Sequence, residues 1–186
     1  MDEFIKNMTE IGVNIKDAEV GKDLANELSK VHQATYTTDC LVDFIKDEKR
    51  SGLKFNFETE SYNIFLDNLA KKISTVEFSL NDLCSKSVIL TRKEKLLSLA
   101  FHEIRHRVQK EGLVSLFTPD SKMPNRELER ILSTISCLRG DLFWDNMIIY
   151  EKEEFDAQFI TAAAQRAYQL KYSLLSIADI LLWSSK

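Results

Sequence analysis

The sequence predicts a predominantly helical α+β fold, a single domain over residues 1–186 with a small β-sheet before its most strongly patterned helix. With 186 residues, 44% of them hydrophobic and 29% charged, the chain is long enough for one domain with a substantial core. Five glycines and two prolines are few, which disfavours a many-turned β-sandwich and favours long helices. Apolar residues recur mainly at helical spacing, with a short alternating stretch that begins at Leu53.

The charge and apolar content of the chain argue against two classes of partner. The formal net charge is −4, so the chain has no general attraction to nucleic acid or to an anionic membrane, and we expect neither as a partner. No apolar run reaches the roughly 18 residues needed to span a bilayer. The N-terminus Met1-Asp2-Glu3-Phe4 is acidic and lacks a long apolar core, so it does not resemble the start of a signal peptide.

Three cysteines are present, Cys40, Cys84 and Cys137. Their number is odd, they are widely spaced, and no Cys-x-x-Cys pair occurs, so we expect reduced, buried thiols in an intracellular protein. Since no targeting signal is evident either, the predicted location is the cytoplasm.

Residues 1–52 are predicted to form an N-terminal helical part, ahead of residues 53–186. Apolar residues recur every three or four positions in two groups, first Leu24, Leu28 and Val31, then Leu41, Phe44 and Ile45. The threonine-rich stretch 34–38 bends or separates two helices, and residues 49–52 are typical of a helix end. His32 lies on or beside the first apolar group and is predicted to be a packed or partly exposed side chain rather than a ligand.

A small sheet is predicted between this helical part and residue 90. Leu53, Phe55 and Phe57 alternate with polar residues, as in a half-exposed strand. The stretch 62–66 fits either a second strand or the start of a helix that continues through Leu69 and Ile73. Residues 75–78 and 87–90 are again typical of strands, so the sheet should have two to four strands.

The next helix has both ends marked in the sequence. Thr91 and Glu94 form a capping-box pattern, and Gly112 is suited to end the helix, so it should run from about residue 92 to 111. Its inward face should carry Leu97, Phe101, Ile104 and Val108. The charged residues from Arg105 to Lys110 are predicted to lie on a solvated face.

Two further helices are predicted downstream, one over residues 126–139 and a last one over residues 151–183. The last helix should turn one apolar face inward, made of Ile160, Ala163, Ala167, Leu170, Leu174, Ile177 and Leu181. Its apolar end at residues 174–183 fits a buried helix, or a docking surface for a partner or a second copy of the chain.

The helix over residues 92–111 carries the pattern His-Glu-x-x-His, with two of the three histidines in the chain, His102 and His106. Residues four apart stack on one helix face, close enough to share a metal ion. A catalytic zinc takes three protein ligands and an acidified water, and Glu103 beside the pair would accept the proton of that water. Glu154, in the acidic run that opens the last helix, is the predicted third ligand, with Glu153 and Asp156 as alternatives.

These residues resemble the small zincin metallopeptidases of the gluzincin type. The resemblance rests on residues 86–109, which include the helical motif and the preceding Val88-Ile89-Leu90, and on residues 151–164, which include Glu154-Phe155-Asp156-Ala157. Gluzincins pair such a helix with a glutamate from a later Glu-x-x-Ala helix. The resemblance implies a zinc ion, Glu103 as general base and acid, and hydrolysis of a peptide bond in a peptide or protein substrate.

The chain departs from the gluzincin pattern in one respect. Its downstream region has no evident histidine or tyrosine signature for stabilising an oxyanion. Tyr150, Tyr168 and Arg105 are candidates through their position in the sequence.

Other interpretations of the motif remain open. In a non-enzymatic helical interaction protein, such as an inhibitor or adaptor, the motif would be a surface feature in which Glu103 pairs with Arg107 one turn on. A di-iron bundle would need a second Glu-x-x-His, but Ser29 occupies the matching position before His32. A helical ribonuclease could use His106 with the neighbouring arginines, although the acidic net charge disfavours it.

Overall fold

A computed structural model describes residues 2–75, 90–111 and 152–183 of the chain. The described residues form six helices and three strands, so the predicted α+β class and the small sheet are confirmed. In chain order they are α1 (Glu3–Glu10), α2 (Ile15–Thr35), β1 (Val42–Ile45), β2 (Gly52–Asn56), β3 (Ser61–Phe65), α3 (Leu69–Thr75), α4 (Arg92–Lys110), α5 (Lys152–Gln169) and α6 (Leu174–Leu181).

The sheet has the strand order β1-β3-β2, with β1 parallel and β2 antiparallel to the central strand. The alternation that predicted β2 is present, since Leu53 and Phe55 are buried while Lys54 between them is exposed. Phe57 lies one residue beyond the strand and is 43% exposed. Because β3 is the central strand, β2 lies at an edge of the sheet, and helix α4 packs against it there.

The prediction of a second helix after the threonine-rich stretch is wrong. Helix α2 ends at Thr35, Tyr36 is extended, and the group that includes Leu41, Phe44 and Ile45 belongs to strand β1 or its approach. Val42 pairs with Tyr62 of β3, twenty positions further on, and Phe44 packs on Phe4 of α1 at 4.5 Å between ring centroids. Pairing with a distant strand overrides the local spacing, because a run of so few apolar residues fits either period.

The stretch from residue 62 to 73 contains both of the structures that the sequence left open. Tyr62 and Ile64 are fully buried in strand β3, and α3 follows with Leu69 and Ile73 facing the core. Two further strands were predicted, at 75–78 and 87–90. Thr75 belongs to the end of α3, and residues 76–89 lie outside the described part of the chain. The helix predicted at 126–139 also lies outside it.

Helix α4 begins at the predicted capping box. The Thr91 hydroxyl accepts from the Glu94 amide at 3.2 Å, and the Glu94 carboxylate accepts from the Thr91 amide at 2.7 Å. The helix runs to Lys110, with Glu111 as its C-cap. The four predicted apolar residues are each at most 1% exposed: Leu97, Phe101, Ile104 and Val108. This face packs α4 against α2, α5 and β2, which fixes the orientation of the motif.

The single last helix predicted over residues 151–183 is divided into α5 and α6. Lys171 at the break has φ +67°, and the Ser173 hydroxyl caps α6 by accepting from the Ser176 amide at 3.2 Å. The apolar stripe continues through the break, so the apolar periodicity alone did not reveal it. Leu170, predicted to face inward, is 45% exposed at this turn.

Buried residues from all three described ranges form one hydrophobic core, in which α2, α4 and α5 are the main helices. A glycine allows α2 to approach the sheet closely, since a Cβ at Gly21 would lie 2.4 Å from the Leu66 side chain. Within the described residues, no helix has the length and apolar character needed to cross a membrane.

Candidate metal centre

The two motif histidines converge at the surface of α4. Their Nε2 atoms are 3.0 Å apart, and the rings meet edge to face with centroids 4.6 Å apart. Two nitrogens bound to one tetrahedral zinc at the usual bond length lie about 3.3 Å apart, so this separation fits a shared ion. Both side chains are partly exposed, which gives an ion access to them. His102 and His106 are thus brought together as their spacing predicts.

Glu103 extends from α4 to the edge of the sheet. One oxygen of its carboxylate accepts a hydrogen bond from the backbone amide of Phe55 in β2, at 2.9 Å. This bond satisfies an amide on the edge strand and holds the carboxylate in one orientation. Glu103 therefore joins the motif helix to the edge strand beside it.

The prediction that Arg105 lies on a solvated face is wrong, because its side chain is fully buried. Its guanidinium forms a two-point ion pair with Asp156 of α5, with N–O distances of 2.7 and 2.9 Å. A third nitrogen donates to the carbonyl oxygens of Leu181 and Trp183, at 2.8 and 2.7 Å. Arg105 thus fastens the motif helix to α5 and to the end of α6, and its side chain is directed into the core.

Gln109 connects the histidine pair to this ion pair, and sequence reasoning did not single it out. Its side-chain oxygen lies 2.9 Å from Nδ1 of His106, and its side-chain nitrogen donates to the Asp156 carboxylate. Because Gln109 follows His106 by three residues on one helix, their contact is local and its spacing was a usable signal. The contact with Asp156 crosses to another helix and had no such signal.

The third ligand predicted by the sequence is not described. Glu154 lies in the first turn of α5, and the side chains of Glu153 and Glu154 are outside the described part of the structure. Asp156, the other alternative, is fully buried, and both of its carboxylate oxygens accept hydrogen bonds from Arg105. Its described role is therefore to pair with Arg105 in the core. Among the described residues, no three or more His, Cys, Asp or Glu side chains form a metal-binding group. Ala157 is fully buried, as a close approach of α5 would require.

The two described histidines fit a zinc ion in kind, and they supply two of the three protein ligands that a catalytic zinc takes. Imidazole nitrogens are common zinc ligands, and a ligating histidine normally donates its other N–H to a nearby oxygen. His106 has such an oxygen in Gln109. Of the predicted oxyanion residues besides Arg105, Tyr150 lies outside the described part and Tyr168 is partly buried near the end of α5.

A second polar cluster surrounds Arg107 at the end of α4. The Arg107 guanidinium lies 4.3 Å from the ring centroid of Tyr36 and 5.0 Å from that of Phe55. Its Nε donates to the Glu111 carboxylate at 2.6 Å, and the Tyr36 hydroxyl donates to the same carboxylate at 3.0 Å. Arg107 is only 8% exposed, so its prediction as a solvated residue is also wrong. With both arginines buried, the ribonuclease interpretation loses its phosphate-binding groups.

His32 is a packed core histidine, as predicted. It is fully buried, its Nε2 lies 3.0 Å from the Thr38 carbonyl oxygen, and its Nδ1 lies 3.2 Å from the Tyr62 hydroxyl. Burial lowers the pKa of His32 below its ordinary value, and the nearby Arg107 charge lowers it further. Cys40 near this cluster is a free thiol that is partly rather than fully buried, and this partial burial raises its pKa to about 11. Such a thiol is a weak nucleophile at neutral pH.

Comparison with protein-family models, with curated protein sequences and with solved structures gave no match for the chain.

Proposed function

We propose that the chain is a zinc-dependent hydrolase that cleaves peptide bonds in peptide or protein substrates, in the manner of the gluzincins that its motif resembles. The observation that carries the proposal is the 3.0 Å separation of the Nε2 atoms of His102 and His106 at a partly exposed surface. The oxygen of Gln109 behind His106 supports it, because ligating histidines are normally held in this way.

Each residue of the motif has a definite part in this proposal. His102 and His106 hold the zinc together with Glu154, or with Glu153 in its place. The bound zinc supplies a Lewis acid and acidifies a water molecule. The Glu103 carboxylate accepts a proton from the attacking water molecule and passes it to the nitrogen of the leaving amine. The hydrogen bond from the Phe55 amide keeps the carboxylate in a single orientation for that transfer.

The proposal is tested by comparing zinc content and hydrolysis in two glutamine variants. Purified wild type, Glu103→Gln and Glu48→Gln are assayed on a library of fluorogenic peptides and on unfolded casein. Glu48 is an exposed loop residue and provides the matched control. Glu103→Gln should keep its zinc and lose hydrolysis by at least about 100-fold, the usual contribution of a general acid–base residue. Equal hydrolysis by wild type and Glu103→Gln would overturn the proposed role.

A second candidate is a non-enzymatic helical interaction protein, an inhibitor or adaptor with a degenerate or absent metal site. The observation that favours it is the use of Glu103 and Arg105 as structural residues, one bonded to the edge strand and the other buried. Its contact with a partner or second copy would involve the C-terminal helix, where Leu175 is 69% exposed. Metal-free protein that takes up no zinc and cleaves none of the substrates would favour this candidate.

For either function we propose a cytoplasmic location, from the absence of any paired-cysteine pattern.

A further inference from the structure

A chain of side-chain contacts leads from the histidine pair into the core. It starts at the Nε2 atoms of His102 and His106, passes from Nδ1 of His106 to Gln109, and continues to Asp156. It ends where Asp156 pairs with Arg105, and both of these side chains are 0% exposed. Because each contact needs one donor and one acceptor, the charged end of the chain determines the arrangement of hydrogens along it.

The direction of each hydrogen bond follows from the ion pair. An ionised carboxylate only accepts, so the Gln109 atom that faces Asp156 must be its NH₂ group. The carbonyl oxygen of Gln109 then faces His106, and since that oxygen also only accepts, the hydrogen must lie on Nδ1 of His106. Neutral His106 is left with its lone pair on Nε2. In the metal-free protein, His102 must therefore donate its own Nε2–H to His106.

We infer that Gln109 is a positioning residue that holds His106 as the Nδ1–H tautomer, with Arg105 and Asp156 fixing the orientation of its amide. The two histidines of the motif are consequently unequal. His106 already presents a lone pair at Nε2, the atom that points toward the other ring, whereas His102 carries a hydrogen there. The tautomer assignment follows from the contacts alone, and its effect on zinc affinity rests on the proposed function.

Because the two rings start as different tautomers, they should change differently when zinc binds. His106 keeps its hydrogen on Nδ1, since Nε2 is already the unprotonated atom. His102 has to lose the hydrogen on Nε2 before that nitrogen can bind a metal, and it becomes an Nδ1–H tautomer. Removing Gln109 should allow His106 to populate the Nε2–H tautomer, which competes with zinc. Loss of such an outer contact typically weakens metal affinity by about 10–100-fold.

The test measures tautomers and zinc affinity in the same set of full-length variants. Long-range ¹H–¹⁵N correlation spectra of metal-free protein at about pH 8, where ordinary imidazoles are neutral, identify the protonated nitrogen of each ring. The set comprises wild type, Gln109→Leu and the control Gln33→Leu, in which an exposed glutamine of α2 is changed in the same way. A fourth variant, Gln109→Met, keeps the length of the side chain but removes both of its hydrogen-bonding groups.

Wild type and Gln33→Leu should show His106 as Nδ1–H, and wild type should show His102 as Nε2–H. Gln109→Leu should show a mixture at His106, and competition with a chromophoric chelator should give it about 10–100-fold weaker zinc binding. Gln109→Met should give the same mixture and the same weaker zinc binding, and it tests the inference if Gln109→Leu fails to fold. An Nε2–H tautomer at His106 in wild type, or an unchanged tautomer in Gln109→Leu, would overturn the inference. Predicted tautomers without zinc uptake would uphold it and reject the proposed function.

Discussion

Arg105 and Asp156 form a two-point ion pair in the core, with N–O distances of 2.7 and 2.9 Å across a sequence separation of 51 residues. The same guanidinium donates to two backbone carbonyls at the end of α6. One residue between the motif histidines thus joins three helices, and its carboxylate partner reaches His106 through Gln109. The fold and the candidate metal centre share this ion pair.

Replacing Arg105 should destabilise the protein strongly. Arg105→Met leaves the Asp156 carboxylate buried without its cation, and breaking such a pair typically lowers the free energy of unfolding by about 3–5 kcal/mol. Urea denaturation measures this change. Arg50→Met is the matched control, because Arg50 lies at the surface and should contribute less than about 1 kcal/mol.

The double variant Arg105→Met with Asp156→Leu separates charge burial from packing in that experiment. It removes both charges together, so its loss of stability should be smaller than the sum of the two single losses. Equal stabilities of wild type and Arg105→Met would show that the ion pair does not hold the helices together.

Glu103 should have a structural contribution that can be separated from its proposed catalytic one. Glu103→Ala leaves the Phe55 amide without its acceptor, which should lower the free energy of unfolding by about 1–3 kcal/mol. Glu103→Gln keeps an oxygen at the same place and should be close to wild type in stability. Thermal and urea unfolding of the two variants, both measured without metal, compare these values. Identical stabilities for the alanine and glutamine variants would contradict a role for this bond.

The buried His32 should make stability depend on pH in the acidic range. Burial lowers the pKa of His32 in the folded protein below its ordinary value of 6.5, so the unfolded chain takes up a proton first as the pH falls. The contribution of His32 is therefore complete above that value and is lost as the pH drops from it toward the folded-state pKa. Urea unfolding at about pH 8 and about pH 5 measures the effect. His32→Gln should lose less stability than wild type between the two pH values, and an equal or larger loss would contradict the prediction.

The capping box of α4 should stabilise the start of the motif helix. Thr91→Ala removes the hydroxyl that accepts from the Glu94 amide, and loss of such a cap typically lowers the free energy of unfolding by about 0.5–2 kcal/mol. Lys93→Ala, an exposed substitution in the same turn, should change it by less than about 0.5 kcal/mol. Chemical denaturation of both variants makes the comparison. Equal effects of the two substitutions would argue that the cap contributes little.

Helix α4 was predictable because its signals are local. The capping box, the apolar stripe and the spacing of His102 and His106 all lie within one continuous segment of about 20 residues. Strand β1 was not predictable in this way, since its partner is the distant strand β3. The break at Lys171 was also missed, because the same apolar stripe continues on both sides of it.

The supporting residues of the candidate site were harder to predict than its histidines. Arg105 follows Phe101 by four residues and so borders the buried stripe, which was a usable sign of its burial. Its partners, however, lie 51 and 76 or more residues away, and no local pattern predicts those contacts. For the same reason, no local pattern predicts the contact between Gln109 and Asp156, because it depends on how helices α4 and α5 pack together.

The zinc content of the purified protein tests the central proposal most directly. Wild type, His102→Ala and His106→Ala are prepared without chelators, and each is measured by elemental analysis and by competition with a chromophoric chelator. Wild type should hold about one zinc per chain, and each alanine variant should lose it, because two protein ligands hold the ion poorly. Wild type that contains no zinc and takes none up, or alanine variants that bind it as tightly as wild type, would contradict a metal centre at His102 and His106.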